Sequence, residues 1–166
     1  MSWPQVINVQ LSSYNTSEKA SFTVNLGISI ETFGKVWGYP ILKGPLKEYK
    51  CDLRSRIGRL LPHQCNKWWE VTTESSSDHL AEEVLTDIRN HAFPWFEKLS
   101  NYAALAHEFE IQKLPAKAAL AHHFAGNVSQ AQSCMEEAYV ASDRSFFSEI
   151  IRLAEFCSIS LPARRD

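Results

Sequence analysis

Residues 54–71 read RSRIGRLLPHQCNKWWEV, and the way this stretch alternates decides the fold. Counting from just before it, Cys51, Leu53, Ile57 and Leu61 share one parity, while Asp52, Arg54, Arg56 and Gly58 share the other. Successive side chains of a strand point to opposite faces, so one side of this segment is apolar and the other charged. Past Pro62, the run His63, Gln64, Cys65, Asn66, Lys67 is polar enough to turn the chain. Residues 68–73 then bring back the aromatic and β-branched side chains that strands favour. The stretch predicts a central β-hairpin, with Trp69 and Val71 in the core and Trp68 and Glu70 beside the arginines.

Working outward, residues 6–12 alternate, with Ile7, Val9 and Leu11 on one side and Asn8 and Gln10 on the other. After the turn residues of 13–19, alternation resumes with Phe22, Val24, Leu26, Ile28 and Ile30 inward, so these two strands predict an antiparallel hairpin. Its other face carries Asn8, Gln10, Thr23, Asn25 and Gly27, small polar side chains in place of the Lys and Glu of a purely solvated sheet. From 31 to 49 periodicity is lost among Gly34, Gly38, Pro40, Gly44 and Pro45. With Phe33, Trp37, Tyr39 and Ile41 in it, the segment predicts an aromatic loop that covers the sheet edge or closes over a ligand.

The serines of 75–77 mark a connection, and Ser77 or Asp78 can cap a helix. Its stripe of Leu80, Val84, Leu85, Ile88, Ala92, Trp95 and Phe96 is broad enough for the apolar sheet face. Pro94 removes the hydrogen bond to the Asn90 carbonyl, which predicts a kink near His91. Beyond Asn101 no strand pattern occurs. Leu114-Pro115 opens a helix that Ala125-Gly126-Asn127 closes, a second runs over about 129–141, and Asp143 caps a last one bearing Phe146, Phe147, Ile150 and Ile151. The alanine-rich faces of the first two predict a close helical hairpin of tetratricopeptide-like form. A single pair makes no array, so it should pack on the sheet domain or on another subunit.

A chain of 166 residues with 45% hydrophobic and 22% charged residues is ordinary globular material, and its net charge of -2 gives no bias toward nucleic acid or anionic membrane. No apolar run approaches the roughly 20 residues of a membrane span, and the first residues carry neither a basic leader nor an apolar segment. Cys51, Cys65, Cys134 and Cys157 are scattered without a paired spacing, which predicts free thiols in a reducing, cytoplasmic setting.

With these residues in view, the first hundred positions resemble a bacterial family known only as domain of unknown function 4304. The likeness lies in Val6-Ile7-Asn8-Val9-Gln10, Ser21-Phe22-Thr23-Val24-Asn25-Leu26-Gly27, Cys51-Asp52-Leu53-Arg54-Ser55-Arg56-Ile57-Gly58, Lys67-Trp68-Trp69 and Phe93-Pro94-Trp95-Phe96. The resemblance implies a small cytoplasmic protein of α+β build with no assigned reaction. Such proteins usually open with a helix and a strand ahead of the segment matching 6–12. This chain is expected to lack both, so that either the fold is completed differently or a neighbouring chain covers what they would cover.

The fold expected is α+β: a four-stranded antiparallel sheet, a long helix on its apolar face and a C-terminal helical hairpin or bundle. Residues 1–101 form the sheet domain and 102–166 a helical extension packed on it or on a second subunit. The candidate binding face collects Gln10, Asn25, Arg54, Arg56, Trp68 and Glu70. Two guanidiniums two residues apart can hold a carboxylate or phosphate, and Trp68 adds a stacking surface. The plainer possibility is that the arginines pair with Glu70 and Asp52 across strands and keep a sheet face soluble.

The function that follows is a binding or interaction protein of accessory or immunity-like kind. Its alternative is an enzyme on a small anionic substrate, with the arginines as clamp and Glu70 as general base. No cofactor, metal or nucleic acid is expected. His63, Cys65 and His79 lack zinc spacings, the adjacent His122 and His123 diverge by about 100° on a helix, and Cys65 has only Lys67 nearby to activate it. A homodimer is expected through the tail helices or a bare sheet edge, because Trp3, Trp37 and Tyr39 are too apolar to leave wet.

Overall fold

The structure, a computed structural model, describes residues 3–38, 45–143 and 145–163. Its elements in chain order are β1 (Gln5–Leu11), β2 (Lys19–Ile28), α1 (Glu31–Trp37), β3 (Leu53–Arg56), β4 (Trp69–Thr72), α2 (Ser77–Asp87), α3 (Phe93–Lys98), α4 (Tyr102–Ile111), α5 (Pro115–Phe124), α6 (Val128–Ala141) and α7 (Phe147–Phe156). They divide into two compact units, a sheet unit of residues 3–30 and 45–98 and a helical unit of 31–38 and 99–163. The α+β architecture with four antiparallel strands is as expected, but the strand pairing is not.

β3 and β4 do not form a hairpin with each other. Both pair antiparallel with β2, Asn25 opposite Arg56 and Ile28 opposite Leu53 for β3, Lys19 opposite Thr72 and Phe22 opposite Trp69 for β4. β1 takes the other edge of β2, from Gln5 opposite Ile28 to Leu11 opposite Phe22. A ten-residue β2 is long enough to seat two four-residue strands end to end along one edge. The chain between them leaves that edge in a 3-10 turn at Ile57–Arg59 and returns where Thr23 Oγ1 donates to the Lys67 carbonyl at 2.8 Å.

Directly opposed residues share a face, so Ile7, Val9 and Leu11 lie on the same side as Leu26, Val24 and Phe22. Val24, Leu26, Ile28 and Leu53 are fully buried there, and Phe22 stacks on the buried Trp69 at 5.6 Å between ring centroids. The β1 part of that face is open: Ile7, Val9 and Leu11 are 39, 56 and 66% exposed. Val71, expected in the core, is 36% exposed as well.

The helix expected on this face runs through α2, a π-turn at Ile88–Ala92 and α3. Ser76 caps it, its hydroxyl accepting from His79 N. The π-turn lies just ahead of Pro94, where the missing N–H disturbs the ladder, as the sequence predicts. Ala92, Trp95 and Phe96 are buried, but no α2 residue is, so the covering stripe is half as long as its periodicity suggests.

In the helical unit, α1 overturns the expected loop at its start. Gly34 reads as a breaker in sequence, yet it is an open position on a helix whose Glu31 and Lys35 pair at 2.7 Å. Phe33 on α1 is fully buried and stacks on Phe109 and Phe124, and Arg152 donates to the Val36 and Trp37 carbonyls at the end of α1. Tyr39, Pro40, Ile41 and Gly44, the rest of that expected cover, lie outside the described residues. Trp3, expected to need a second chain to cover it, is buried within this chain.

Asn101 caps α4, and α4 and α5 both end in a left-handed residue with the hydrogen bonds of a Schellman turn. Lys113 N reaches the Glu110 carbonyl and Leu114 N that of Phe109. Gly126 N and Asn127 N do the same to His123 and His122. Asp143 caps the segment before α7 by accepting from Ser145 N and Phe146 N.

Candidate functional site

The polar face of the sheet is set by register. Asn25 on β2 stands opposite Arg56 on β3 and opposite Asn8 on β1, and Gly27 stands opposite Arg54. Asn25 Nδ2 donates to Gln10 Oε1 at 2.7 Å, which fixes both amides at the floor. Arg54 Nε donates at 2.5 Å to Oε1 of Glu48, a buried carboxylate from the 3-10 turn Glu48–Lys50. Arg56 Nη1 donates to Asn66 Oδ1 at 3.0 Å, and its guanidinium lies over the Trp68 ring, 5.5 Å from the centroid.

The excursion 57–68 raises one wall. It depends on Gly58, where a Cβ would fall 2.2 Å from the Cys65 carbonyl oxygen and 2.6 Å from Lys67 N. Backbone cannot yield as a flexible side chain would, so the return of the loop over this point requires glycine. The loop turns through Gln64, a non-glycine residue in the left-handed region at φ 43°. The result is a concave cleft of about 610 Å³ lined by Gln10, Asn25, Arg54, Arg56, Arg59 and Glu48, with Gln64, Cys65 and Asn66 from the loop. Among the described residues, three guanidiniums line it against the single carboxylate of Glu48.

Four of the six residues expected at the binding face, Gln10, Asn25, Arg54 and Arg56, therefore line one cleft. Trp68 touches it only through Arg56. Glu70 stands apart: it opposes Ser21 and pairs with Lys19 at 2.6 Å on an exposed strand end. The carboxylate beside the arginines is thus Glu48, which is engaged by Arg54, and not Glu70. Sequence reasoning missed Glu48 and Arg59, because each belongs to a 3-10 turn outside the strand alternation.

Lys67 is not free to activate Cys65. Its Nζ donates to Glu83 and to Asp87 of α2 at 2.7 Å each and sits 4.7 Å from the Trp69 ring centroid, while Trp69 Nε1 also donates to Glu83. Burial alone would lower the Lys67 pKa, but the two carboxylates outweigh it and hold it above its ordinary value. Glu83 is correspondingly held below the usual carboxylate range by Lys67. This cluster fastens α2 to the strand end and was invisible in sequence.

Among metal-ligating side chains, His63, Cys65 and His79 form no cluster among the described residues. One does form in the helical unit, from Glu110, His122 and Cys134. Burial, chiefly, pushes the Cys51, Cys134 and Cys157 thiols up to about 11, which leaves them protonated and poor nucleophiles at neutral pH.

No helix among the described residues is long and apolar enough to cross a membrane. Comparison with curated proteins and with solved structures finds no match. A family model described as "Domain of unknown function (DUF4304)" matches residues 3–98, which include all four strands, every cleft residue named above, α2 and α3. Since that match spans more than half of the chain, the protein belongs to the DUF4304 family.

Proposed function

We propose that this protein is a non-enzymatic binding protein of accessory kind that takes a small anionic ligand, a carboxylate or phosphate, in the arginine cleft. The observation that carries the reading is the excess of guanidinium over carboxylate in one concave polar cleft. Arginine presents its donors in a planar fork that matches both anions, and a concave site dehydrates them more than a flat face would. Glu70 is engaged by Lys19 away from the arginines, and Glu48, the carboxylate at the clamp, is engaged by Arg54; both speak against the enzymatic alternative, which needs an available base there. Four free cysteines, three of them buried, suit a reducing compartment.

Thermal shift against a panel of phosphates and carboxylates tests it. A stabilisation by some member in the parent protein, lost in Arg56→Ala, is the expected result; no shift in the parent, or an equal one in the variant, defeats the reading.

Self-association is a second reading, favoured by β1. Ile7, Val9 and Leu11 are exposed on an edge strand, and antiparallel pairing of β1 with its copy would extend the sheet and bury that row symmetrically. Sedimentation equilibrium at micromolar concentration should give a dimer that Val9→Lys converts to monomer. A monomer mass throughout would rule it out.

A further inference from the structure

Glu110 on α4, His122 on α5 and Cys134 on α6 recur at intervals of 12 residues, one per helix, and present one ligand atom each within 4.8 Å of one another. His122 Nε2 lies 3.0 Å from Glu110 Oε1, and Cys134 Sγ lies 3.7 Å from the same oxygen. His122 and Cys134 are buried, whereas Glu110 is at the surface. His107, one turn earlier on α4, places Nδ1 3.6 Å from Glu110 Oε2.

We propose that these residues form a divalent transition-metal site, suited to Zn²⁺, with Glu110 Oε1, His122 Nε2 and Cys134 Sγ as ligands and the fourth position left to His107 or water. Bond lengths of about 2.0 Å to nitrogen or oxygen and 2.3 Å to sulfur set the ligand atoms of a tetrahedral ion roughly 3.3–3.8 Å apart. Two of the contacts are already near that spacing, and the third pair, within 4.8 Å, lies a short side-chain adjustment away. A thiolate with an imidazole is the donor mixture that selects Zn²⁺ over Mg²⁺ or Ca²⁺. Carboxylate and thiolate together neutralise a doubly charged ion, the thiol proton passing to solvent as the metal binds.

The surroundings supply what such a ligand set needs. His122 Nδ1 lies 3.4 Å from the Asn127 side-chain amide, whose oxygen, with the amide turned over, would accept Nδ1–H and hold the imidazole in the tautomer that leaves Nε2 to the metal. The Schellman turns after α4 and α5 fix the helix ends that carry Glu110 and His122, so an ion there would tie three consecutive helices together. This inference is independent of the arginine cleft and stands or falls without it.

The test is a titration of the full chain with Co²⁺ alone, followed by Zn²⁺. A thiolate-to-cobalt charge-transfer band should saturate at one ion per chain, disappear on addition of Zn²⁺, survive in Cys65→Ser and be lost in Cys134→Ser. If circular dichroism shows that Cys134→Ser does not fold, Glu110→Gln, at a surface position, reads the same question through an affinity at least about tenfold weaker. Absence of the band in the parent protein, its persistence in Cys134→Ser, or unchanged affinity in Glu110→Gln would overturn the proposal.

Discussion

The cleft of the sheet unit gathers hydrogen-bond donors, with Arg54, Arg56 and Arg59 lining a space where Glu48 is the one carboxylate among the described residues. The trio of the helical unit gathers lone pairs, with carboxylate, imidazole and thiol converging on a point. The first draws its arginines from six residues of one chain segment, 54–59, held by strand register and the turn that follows it. The second draws one residue from each of three helices, held by their packing. Strand alternation puts charges two residues apart on one face, so repulsion among them has to be offset locally, here by Glu48, Asn66 and the Trp68 ring. Helices spread the ligands over 25 residues, and no local pattern betrays them.

The sharpest way to separate the two regions is through their glycines. Gly58 holds the cleft wall by lack of space, whereas Gly126, beside Asn127, sits at φ 79° with nothing near its missing Cβ. Gly58→Ala should cost about 3 kcal/mol, as overpacking against backbone does, read as a lowered urea midpoint, and it should also abolish anion binding. A change below about 1 kcal/mol would mean that the loop does not return over this glycine in solution.

Next in size is Lys67→Met, with a loss of about 2 kcal/mol for hydrogen bonds to charged partners. Its pH dependence follows from the shifts. Glu83 is depressed, so its contribution is present above its ordinary 4.5 and is lost as pH falls through the lower folded value. Lys67 is raised, so its contribution is present below its ordinary 10.5 and is lost as pH rises through the higher folded value. Urea midpoints against pH should fall at both ends of that window in the parent protein, and both shoulders should shrink in Lys67→Met. Identical profiles would remove the cluster's part in fastening α2. Smaller again is Gly126→Ala, at about 1 kcal/mol for a side chain in the left-handed region, by the same measurement.

What was legible in the sequence divides along the same line. Period-two alternation placed β1 and β2 and put Gln10, Asn25, Arg54 and Arg56 on a common side, because parity needs no knowledge of partners. It did not say which strands pair. Residues 54–71 look like a hairpin locally, yet the length of β2 lets β3 and β4 share its edge, and the intervening residues become the cleft wall. Gly34 concealed α1, since a helix anchored by Phe33 among other aromatic rings and by Arg152 at its end tolerates a weak helix former. The stripe on α2 has the spacing of a core face, but periodicity reports amphipathicity and not how much of the facing sheet is reached. For the trio, the equal 12-residue spacing of Glu110, His122 and Cys134 was the one signal available, and it acquires meaning only when the helices are seen to stack as consecutive hairpins.

The central claim, anion binding by the cleft, is tested most directly by calorimetric titration of inorganic phosphate and citrate into the parent protein, Arg56→Ala and Glu70→Gln. The stability cost of Arg56→Ala should be small, within about 0.5 kcal/mol for a partly exposed side chain, so that folding does not confuse the result. Saturable binding of one ligand per chain, retained in Glu70→Gln and lost in Arg56→Ala, is the outcome predicted. Heats that do not saturate in the parent protein, or binding that survives in Arg56→Ala, would contradict it.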